Sequence, residues 1–184
     1  GLVGSEMCIR DRLMTNPLVA NQRANLSVSG GGKVARYYIA ATFSKDNGNL
    51  KNDKYAGYKN NIDLSTYQLR SNVNINLTKT TEAIVRLAGT FDDYTGPLDG
   101  GDTMYKKIMV SNPVLFPAYY PSSDLPSAKH VLYGNALYNN GVEYTNPYAE
   151  LTKGYKDYSK STMDAQFELK QDLSFITKGL NVRG

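Results

Sequence analysis

The chain has 184 residues, a formal net charge of +4 at pH 7 and a single cysteine, Cys8. Because no block of like charges stands out, the composition gives no indication of nucleic-acid binding. One cysteine excludes a disulfide or a cysteine-based metal site within the chain. No apolar run approaches the roughly 18 residues that a membrane-spanning helix needs, but a β-barrel needs none because it presents only alternate residues to lipid.

Tyrosine dominates the aromatic residues, with 15 Tyr against 5 Phe and no Trp. Its flat apolar ring and polar hydroxyl group suit strands, wet interfaces and sugar-facing surfaces. Together with abundant Asn and Gly and only 7 Pro, this composition favours many strands joined by polar loops.

The two ends of the chain differ in pattern from the rest of the sequence. Residues 1–13 have no helical or strand period and resemble translated sequencing-adaptor read-through. We therefore expect them to be an artefact that, like the scar of a fusion, forms no part of the fold. The structural domain is assigned to residues 14–184. A genuine but irregular N-terminal segment is the alternative. A strand begins near Gly179 and stops at Gly184, so we expect a chain truncated at both ends.

Period-two alternation of apolar and polar residues, which indicates strands, recurs along the chain. In residues 67–77, for example, the polar face carries Gln68, Arg70, Asn72, Asn74 and Asn76. Strands of roughly ten residues are long enough to cross a bilayer when tilted, and are about twice the soluble average. A soluble sandwich shows the same alternation, so it stays an alternative. The predicted strands are residues 24–29, 33–45, 67–77, 82–93 and 162–172, and a sixth begins at Gly179.

The connections between these strands alternate in length. We predict short turns at residues 30–32, where three glycines tolerate positive φ, at 78–81 and at 174–178. Long connections are predicted at residues 46–65 and 94–161. Outer-membrane barrels show this asymmetry, with brief periplasmic turns and long outer loops. The sequence therefore predicts an all-β fold, an antiparallel transmembrane β-barrel whose long connections face outward.

The longest connection is predicted to be ordered and to contain one short helix. Residues 102–111 favour a helix with Asp102 as its N-cap and a packing face of Met104, Ile108 and Met109. Ten tyrosines between Tyr94 and Tyr158 argue for order in the rest of this extracellular loop.

Several segments, in their order and spacing, resemble the TonB-dependent outer-membrane transporters of the SusC/RagA type. They are Asn-Leu-Ser-Val-Ser-Gly-Gly-Gly at 25–32 followed by Tyr37-Tyr38 and the strand to Phe43, Asn-Gly-Asn-Leu at 47–50, Leu-Arg-Ser-Asn-Val-Asn-Ile-Asn-Leu at 69–77, the Asn-Pro elements at 112–113 (with Pro117) and 146–147, and Leu-Lys-Gln-Asp-Leu at 169–173 with Gly179-Leu180.

This resemblance implies a 22-stranded barrel, of which the chain would hold about six strands and no plug domain. It also implies location in the outer membrane of a Gram-negative cell, in contact with its lipid. The implied partners are a SusD-like surface lipoprotein, the TonB complex through the missing plug segment, and an oligosaccharide or peptide substrate. A secreted β-rich carbohydrate-binding module and a TonB-dependent receptor for iron chelates are the alternatives.

Enzyme chemistry has little support in the sequence, and no cofactor is expected. His130 is the only histidine, and no serine lies in a Gly-x-Ser-x-Gly turn. Carboxylates in a Gly-rich run could bind Ca²⁺, but this run lacks the ligand spacing and the terminal Glu of an EF-hand. No metal site is therefore predicted. The alternative is that the run forms a solvated turn before a helix cap. The carboxylates are those of Asp92, Asp93, Asp99 and Asp102.

Tyrosines of the long connection are the predicted substrate or partner contacts, because their rings can stack on sugars or pack against a protein lid. The alternative is that they pack the loop against itself. Tyr37 and Tyr67, on the strands, are predicted instead to lie in the aromatic belt at the membrane interface. The predicted contact residues are Tyr119, Tyr120, Tyr133, Tyr138, Tyr144 and Tyr148.

Overall fold

The computed structural model describes residues 14–52, 57–112, 114–120, 127 and 130–184. Residues 1–13, with Cys8, lie outside the described residues, so their assignment as an artefact stays a prediction. The described chain is mostly antiparallel β-structure with two short helices. Its elements are β1 (Gln22–Gly31), β2 (Ala35–Asn47), β3 (Asp63–Asn76), β4 (Thr81–Pro97), α1 (Gly101–Val110), β5 (Tyr119–Tyr120), β6 (Leu132–Tyr133), α2 (Pro147–Thr152), β7 (Tyr155–Asp172) and β8 (Asn181–Arg183).

Six of these strands form one sheet, with the hydrogen-bonded order β1-β2-β3-β4-β7-β8, and β5 pairs with β6 in a second sheet. The five strands predicted from alternation are confirmed, as is the strand that begins near Gly179. The alternation of short and long connections is also confirmed, with residues 48–62 and 98–154 as the long ones. Among the described strands, no pairing joins β1 to β8, so the sheet is open. The all-β fold class is confirmed, and closure into a barrel stays a prediction.

The chain divides into two compact units. The sheet unit comprises Asn21–Lys45, Ser65–Asp93 and Ser159–Gly184. The loop unit comprises the described residues within 14–20, 46–64 and 94–158.

The sheet unit separates apolar from polar side chains onto opposite faces. In the β1–β2 register, Leu26 lies opposite Ala41 and Val28 opposite Ile39. Directly paired residues share a face of the sheet, so these four side chains form one apolar surface. The Phe43 and Tyr67 rings, with centroids 5.1 Å apart, extend that surface to β3.

The first hairpin differs from the prediction in what its glycines do. Gly30 and Gly31 belong to β1, and the turn is closed by the Gly32 amide donating to the Ala35 carbonyl at 2.8 Å. Positive φ was expected at residues 30–32, but the described residues with positive φ are Gly100, Gly141 and Gly179, so this expectation was wrong. Gly30 is needed for space instead, because a Cβ there would lie 2.7 Å from the Tyr37 hydroxyl oxygen.

The predicted helix in the long connection is confirmed as α1, but its N-cap is not Asp102. Gly100, at φ 81°, occupies the cap position and makes no side-chain cap hydrogen bond. A turn in which the Gly100 amide donates to the Pro97 carbonyl at 3.0 Å sets the start of the helix. Asp102 lies in the first turn, where a carboxylate still interacts favourably with the helix dipole.

The packing face of α1 is narrower than predicted. Met104 and Ile108 are buried in the core of the loop unit, with Met104 0% exposed. Met109 is 50% exposed, so its assignment to the packing face was wrong. Five residues advance a helix by about 140° beyond a full turn, which turns Met109 away from the face that Met104 occupies. Among the described residues, the core cluster of the loop unit contains Met14, Leu50, Met104, Ile108, Tyr148 and Leu151, with Ala118 and Tyr119 packed against it.

Helix α2 was not predicted, because Asn146-Pro147 was interpreted as a loop element. The Asn146 side chain accepts hydrogen bonds from the amides of Tyr148 (3.0 Å) and Ala149 (3.4 Å), and Pro147 occupies the first turn. Both features are typical of helix starts. Asn146 also donates to the carbonyls of Ala118 (2.8 Å) and Gly134 (2.9 Å), so one buried amide holds three parts of the long connection together.

Candidate functional site

The polar face of the sheet unit carries an ion network across five strands. Glu82 on β4 lies at its first node. The guanidinium of Arg36 on β2 and the amide of Asn74 on β3 donate to its Oε1, at 3.1 Å and 2.9 Å. The ammonium group of Lys170 on β7 lies 3.6 Å from its Oε2. One carboxylate is thus shared by side chains from three neighbouring strands.

Glu168 on β7 is the second node, and it is only 4% exposed. Arg183 on β8 donates from Nη2 to Oε2 at 2.6 Å, and its Nε lies 2.5 Å from Oε1 as an ion pair. Arg86 lies 3.7 Å from Oε2, and Lys170 lies 4.0 Å from Oε1. A buried carboxylate needs such compensation, because desolvation strongly disfavours an unpaired charge.

Concave regions lie along this face. One, about 490 Å³, is at the end where the short turns are and includes Lys33, Lys79 and Lys170. A second, about 380 Å³, is lined partly by Arg70, Arg86 and Asp164. A third, about 280 Å³, also includes Arg70 and adds the polar side chains of Gln68, Thr42 and Thr90. Groups of this kind bind polar or charged ligands through charge-assisted hydrogen bonds.

The six predicted contact tyrosines belong to the loop unit, and five of them form two groups, whereas Tyr120 is paired with Leu132 in the β5–β6 register. Tyr148 is buried, and its ring lies 5.4 Å from that of Tyr119 and 6.1 Å from that of Tyr133. Tyr119 and Tyr133 also face each other in the β5–β6 register. The group is tied to α2 by a 2.8 Å hydrogen bond from the Thr152 hydroxyl to the Tyr133 hydroxyl.

The second group is a stacked pair, Tyr138 and Tyr144, with ring centroids 3.5 Å apart. Phe116 lies 6.1 Å from the Tyr144 ring. Tyr120, Tyr133 and Tyr138 keep exposed ring surface. Self-packing, the alternative named above, therefore accounts for much of the tyrosine surface. Contact with a substrate or partner stays a prediction for the exposed rings.

The two strand tyrosines predicted for a membrane belt are both exposed on the apolar face. Tyr37 covers Gly30 near the first short turn. Tyr67 lies against Phe43, toward the other end of the strands. The two side chains thus occupy opposite ends of that face.

The four carboxylates considered for Ca²⁺ do not converge. Asp92 accepts from the Thr66 hydroxyl at 2.7 Å, and Asp93 accepts from Ser159 at 2.5 Å. Asp102 pairs with Lys106 at 2.7 Å. Within the described ranges, no three His, Cys, Asp or Glu side chains form a metal-binding group. His130 is exposed.

Asp99, the fourth of these carboxylates, belongs to an ion quartet that the sequence did not reveal. Lys107 lies 2.7 Å from Asp99 and 2.5 Å from Glu150, and Lys153 lies 3.2 Å and 2.7 Å from the same two carboxylates. Hydrogen bonds from Lys107 and then Lys153 lower the pKa of Asp99 to about 2. Only the spacing of Glu150 and Lys153, which is i,i+3 on a helix, signals part of the quartet.

Neither helix in the described part of the chain is long and apolar enough to cross a membrane. No family model matches the chain, and neither a curated protein nor a solved structure matches it.

Proposed function

We propose that the chain is part of the transmembrane β-barrel of a TonB-dependent transporter of the SusC/RagA type, which imports oligosaccharides or peptides with a SusD-like lipoprotein. One observation carries the membrane part of this proposal. The sheet unit exposes its apolar face, whereas its polar face holds a buried carboxylate in an ion network.

Exposure is extensive on the apolar face. Met163 is 77% exposed, and Leu26 and Phe167 are each 69% exposed. A soluble sandwich would cover such a face with a second layer, and large apolar patches on soluble proteins are uncommon. Transmembrane barrels present alternating apolar residues outward to lipid and polar residues inward. Lipid in place of water would therefore remove the free-energy cost of exposing this apolar face.

The length of the apolar face fits the same environment. From Tyr67 on β3 to Leu77, the residue just after the strand, there are ten steps. Each step rises about 3.3 Å, which gives about 33 Å along the strand. At the tilt of about 40° that such strands adopt, this length corresponds to about 25 Å across the bilayer, the height of the apolar band of outer-membrane barrels.

Transport itself is supported by the resemblance in residues 25–50, 69–77 and 169–180 and by the long connections, which would face outward. In the proposed cycle, substrate is captured outside, the lipoprotein closes over it, and TonB-driven release of the plug opens the barrel. The residues described here would form part of the wall and an outer loop.

Two matched tryptophan substitutions test the membrane orientation, and the natural chain provides no background because it contains no Trp. Met163→Trp places the indole on the apolar face, and Asp164→Trp places it on the polar face of the same strand. In vesicles of brominated phosphatidylcholine, we expect strong quenching of Met163→Trp fluorescence and weak quenching of Asp164→Trp fluorescence. Iodide in water should give the opposite order for accessible sites.

A chain that stays monomeric in water, with both indoles quenched by iodide and neither by bromolipid, would instead favour a secreted carbohydrate-binding module. Flanking genomic sequence tests the transporter class separately. A plug-coding region upstream and an adjacent lipoprotein gene would support the proposal. A plug without a lipoprotein gene would favour a receptor for iron chelates.

A further inference from the structure

The 490 Å³ concave region of the sheet unit lies at the end where its three short turns are. Its walls come from residues 33–34 of the first turn, residues 76–82 around the second, and residues near the third. Hydroxyl, amide and ammonium groups dominate these walls. The lining side chains that carry such groups are Lys33, Asn76, Thr78, Lys79, Thr80, Thr81, Lys170 and Asn181.

The two carboxylates in these walls are already engaged. Glu82 is held by Arg36, Asn74 and Lys170. Asp172 accepts hydrogen bonds from the Ser174 amide, at 2.8 Å, and from the Ser174 hydroxyl. Neither carboxylate therefore offers a free charge to the lysines of the turns.

Lys33 and Lys79 differ from Lys170 in this respect. Within the part of the chain that the structure describes, neither of their ammonium groups makes an ion pair or a hydrogen bond. Each lies on a short turn, so its charge is held at the rim of the concavity. The concavity and the adjoining ion network together contain six cations and three carboxylates, Glu82, Glu168 and Asp172. This end of the polar face therefore carries an excess of positive charge.

Hydroxyl groups stand beside these cations. The hydroxyl oxygens of Thr78 and Thr80 are 3.3 Å apart, and the Thr78 hydroxyl donates to that of Thr81 at 2.8 Å. The one proton of the Thr78 hydroxyl is used by Thr81, but a hydroxyl group rotates to suit its partner, so Thr80 can turn its donor toward a bound oxygen. Lysine acts as a point charge toward phosphate and carboxylate and needs no fixed planar geometry.

We propose that this concavity is an oxyanion-binding site, in which Lys33 and Lys79 hold a phosphate or carboxylate group and the hydroxyl group of Thr80 donates to it. The site lies on the polar face, so its ligand approaches from the side opposite the apolar surface. The proposal does not depend on membrane location, because its groups belong to the turns and the polar face.

Calorimetric titration of the full chain tests the site, in octyl glucoside at low salt or, if the chain proves soluble, in buffer. The probes are inorganic phosphate and a blocked tetraglutamate peptide, which separate a free anion from the carboxylates of a polypeptide. We expect saturable binding at one site. Lys33→Gln with Lys79→Gln should weaken it about tenfold or more, since two charge-assisted contacts are lost.

Two further double variants make the test specific. Lys59→Gln with Lys156→Gln removes the same charge from the loop unit and should leave affinity unchanged. Lys33→Arg with Lys79→Arg keeps the charge and should retain binding, provided circular dichroism shows the same strand content in all variants. The proposal is overturned if neither probe binds saturably, or if both glutamine pairs weaken binding equally, because general attraction by net charge would then suffice.

Discussion

The sheet unit and the loop unit distribute apolar and charged side chains in opposite ways. In the loop unit, Met104 and Ile108 are buried and the ion quartet around Asp99 lies toward the surface. In the sheet unit, Met163 and Phe167 are exposed and the Glu168 carboxylate is buried. The loop unit follows the rule for a protein in water. The sheet unit buries its apolar side chains away from water only if its apolar face is covered by something other than water, and in our proposal lipid covers it.

Two methionines provide the largest expected difference between the units. Met104→Ala should destabilise the loop unit by about 2–5 kcal/mol, because it removes a buried side chain and leaves a cavity. Met163→Ala removes the same atoms from an exposed position. Urea midpoints from the near-ultraviolet circular dichroism of the tyrosines, in detergent, compare the two. Equal midpoints would contradict a water-type core in the loop unit.

Asn146→Ala should cost about 2 kcal/mol, because the helix α2 loses its cap and two carbonyl groups lose their donor. Asn112→Ala is the control, since that exposed side chain accepts from the Val114 amide and, among the described residues, from no other group. The same urea titration measures both. A smaller loss of stability for Asn146→Ala than for Asn112→Ala would show that the helix cap does not organise the loop unit.

Glu168→Gln should destabilise the sheet unit by about 1–2 kcal/mol, since Arg183 and Arg86 lose a charged partner. Both guanidinium groups are partly exposed and can regain solvent, which keeps the cost below that of a fully buried pair. Asp164→Asn, on the same face and strand, is the control. Thermal loss of the strand signal in the far-ultraviolet measures the difference, and equal midpoints would argue against a structural role for the network.

Gly30→Ala should cost about 1 kcal/mol, because its Cβ would displace the Tyr37 ring. Gly32→Ala meets no atom within 4 Å and should be neutral or slightly stabilising, since it restricts the unfolded chain. Thermal midpoints of the two variants give the comparison. Adding Tyr37→Ser should relieve the loss in Gly30→Ala, and a loss that persists would place the strain elsewhere.

Acid should lower the stability of the loop unit through Asp99, and this is the smallest of the five expected effects. Its pKa is lowered from 3.8 to about 2 in the folded chain, so the stability it contributes is fully present above the unfolded value. That stability is lost as the pH falls from about 4 to about 2. Asp99→Asn should flatten this part of the pH profile of the urea midpoint more than Asp102→Asn does. Identical profiles for both variants would exclude Asp99 as the cause.

Local sequence patterns predicted the sheet strands well, because alternation along a strand depends on neighbours only two positions apart. The ends of β3, β4 and β7 extend beyond the alternation, for example from Thr162 back to Tyr155. In these end segments, apolar and polar residues no longer alternate, although the segments still pair with neighbouring strands. A search for period-two alternation does not detect such segments. The cap of α1 was misplaced for a similar reason, since the Pro97–Gly100 turn decided where the helix begins.

The candidate sites were harder to predict than the strands. The six loop tyrosines were recognised by their number, but their pairing depends on which segments meet, as Tyr119 and Tyr148 do across 28 intervening residues. The ion network was missed for the same reason. Arg36, Glu82 and Arg183 are far apart in the chain, and only the strand order brings them to neighbouring positions.

What the sequence by itself determined is the set of long strands, their apolar and polar faces, and the alternation of short and long connections, since these follow from local periodicity and turn residues. Only the tertiary structure decided that the apolar face stays uncovered, that Glu168 is buried among cations, and that Lys33 and Lys79 share one concavity at the turn end. Burial and charge pairing depend on contacts between residues distant in the chain, and those contacts are set by strand register and packing.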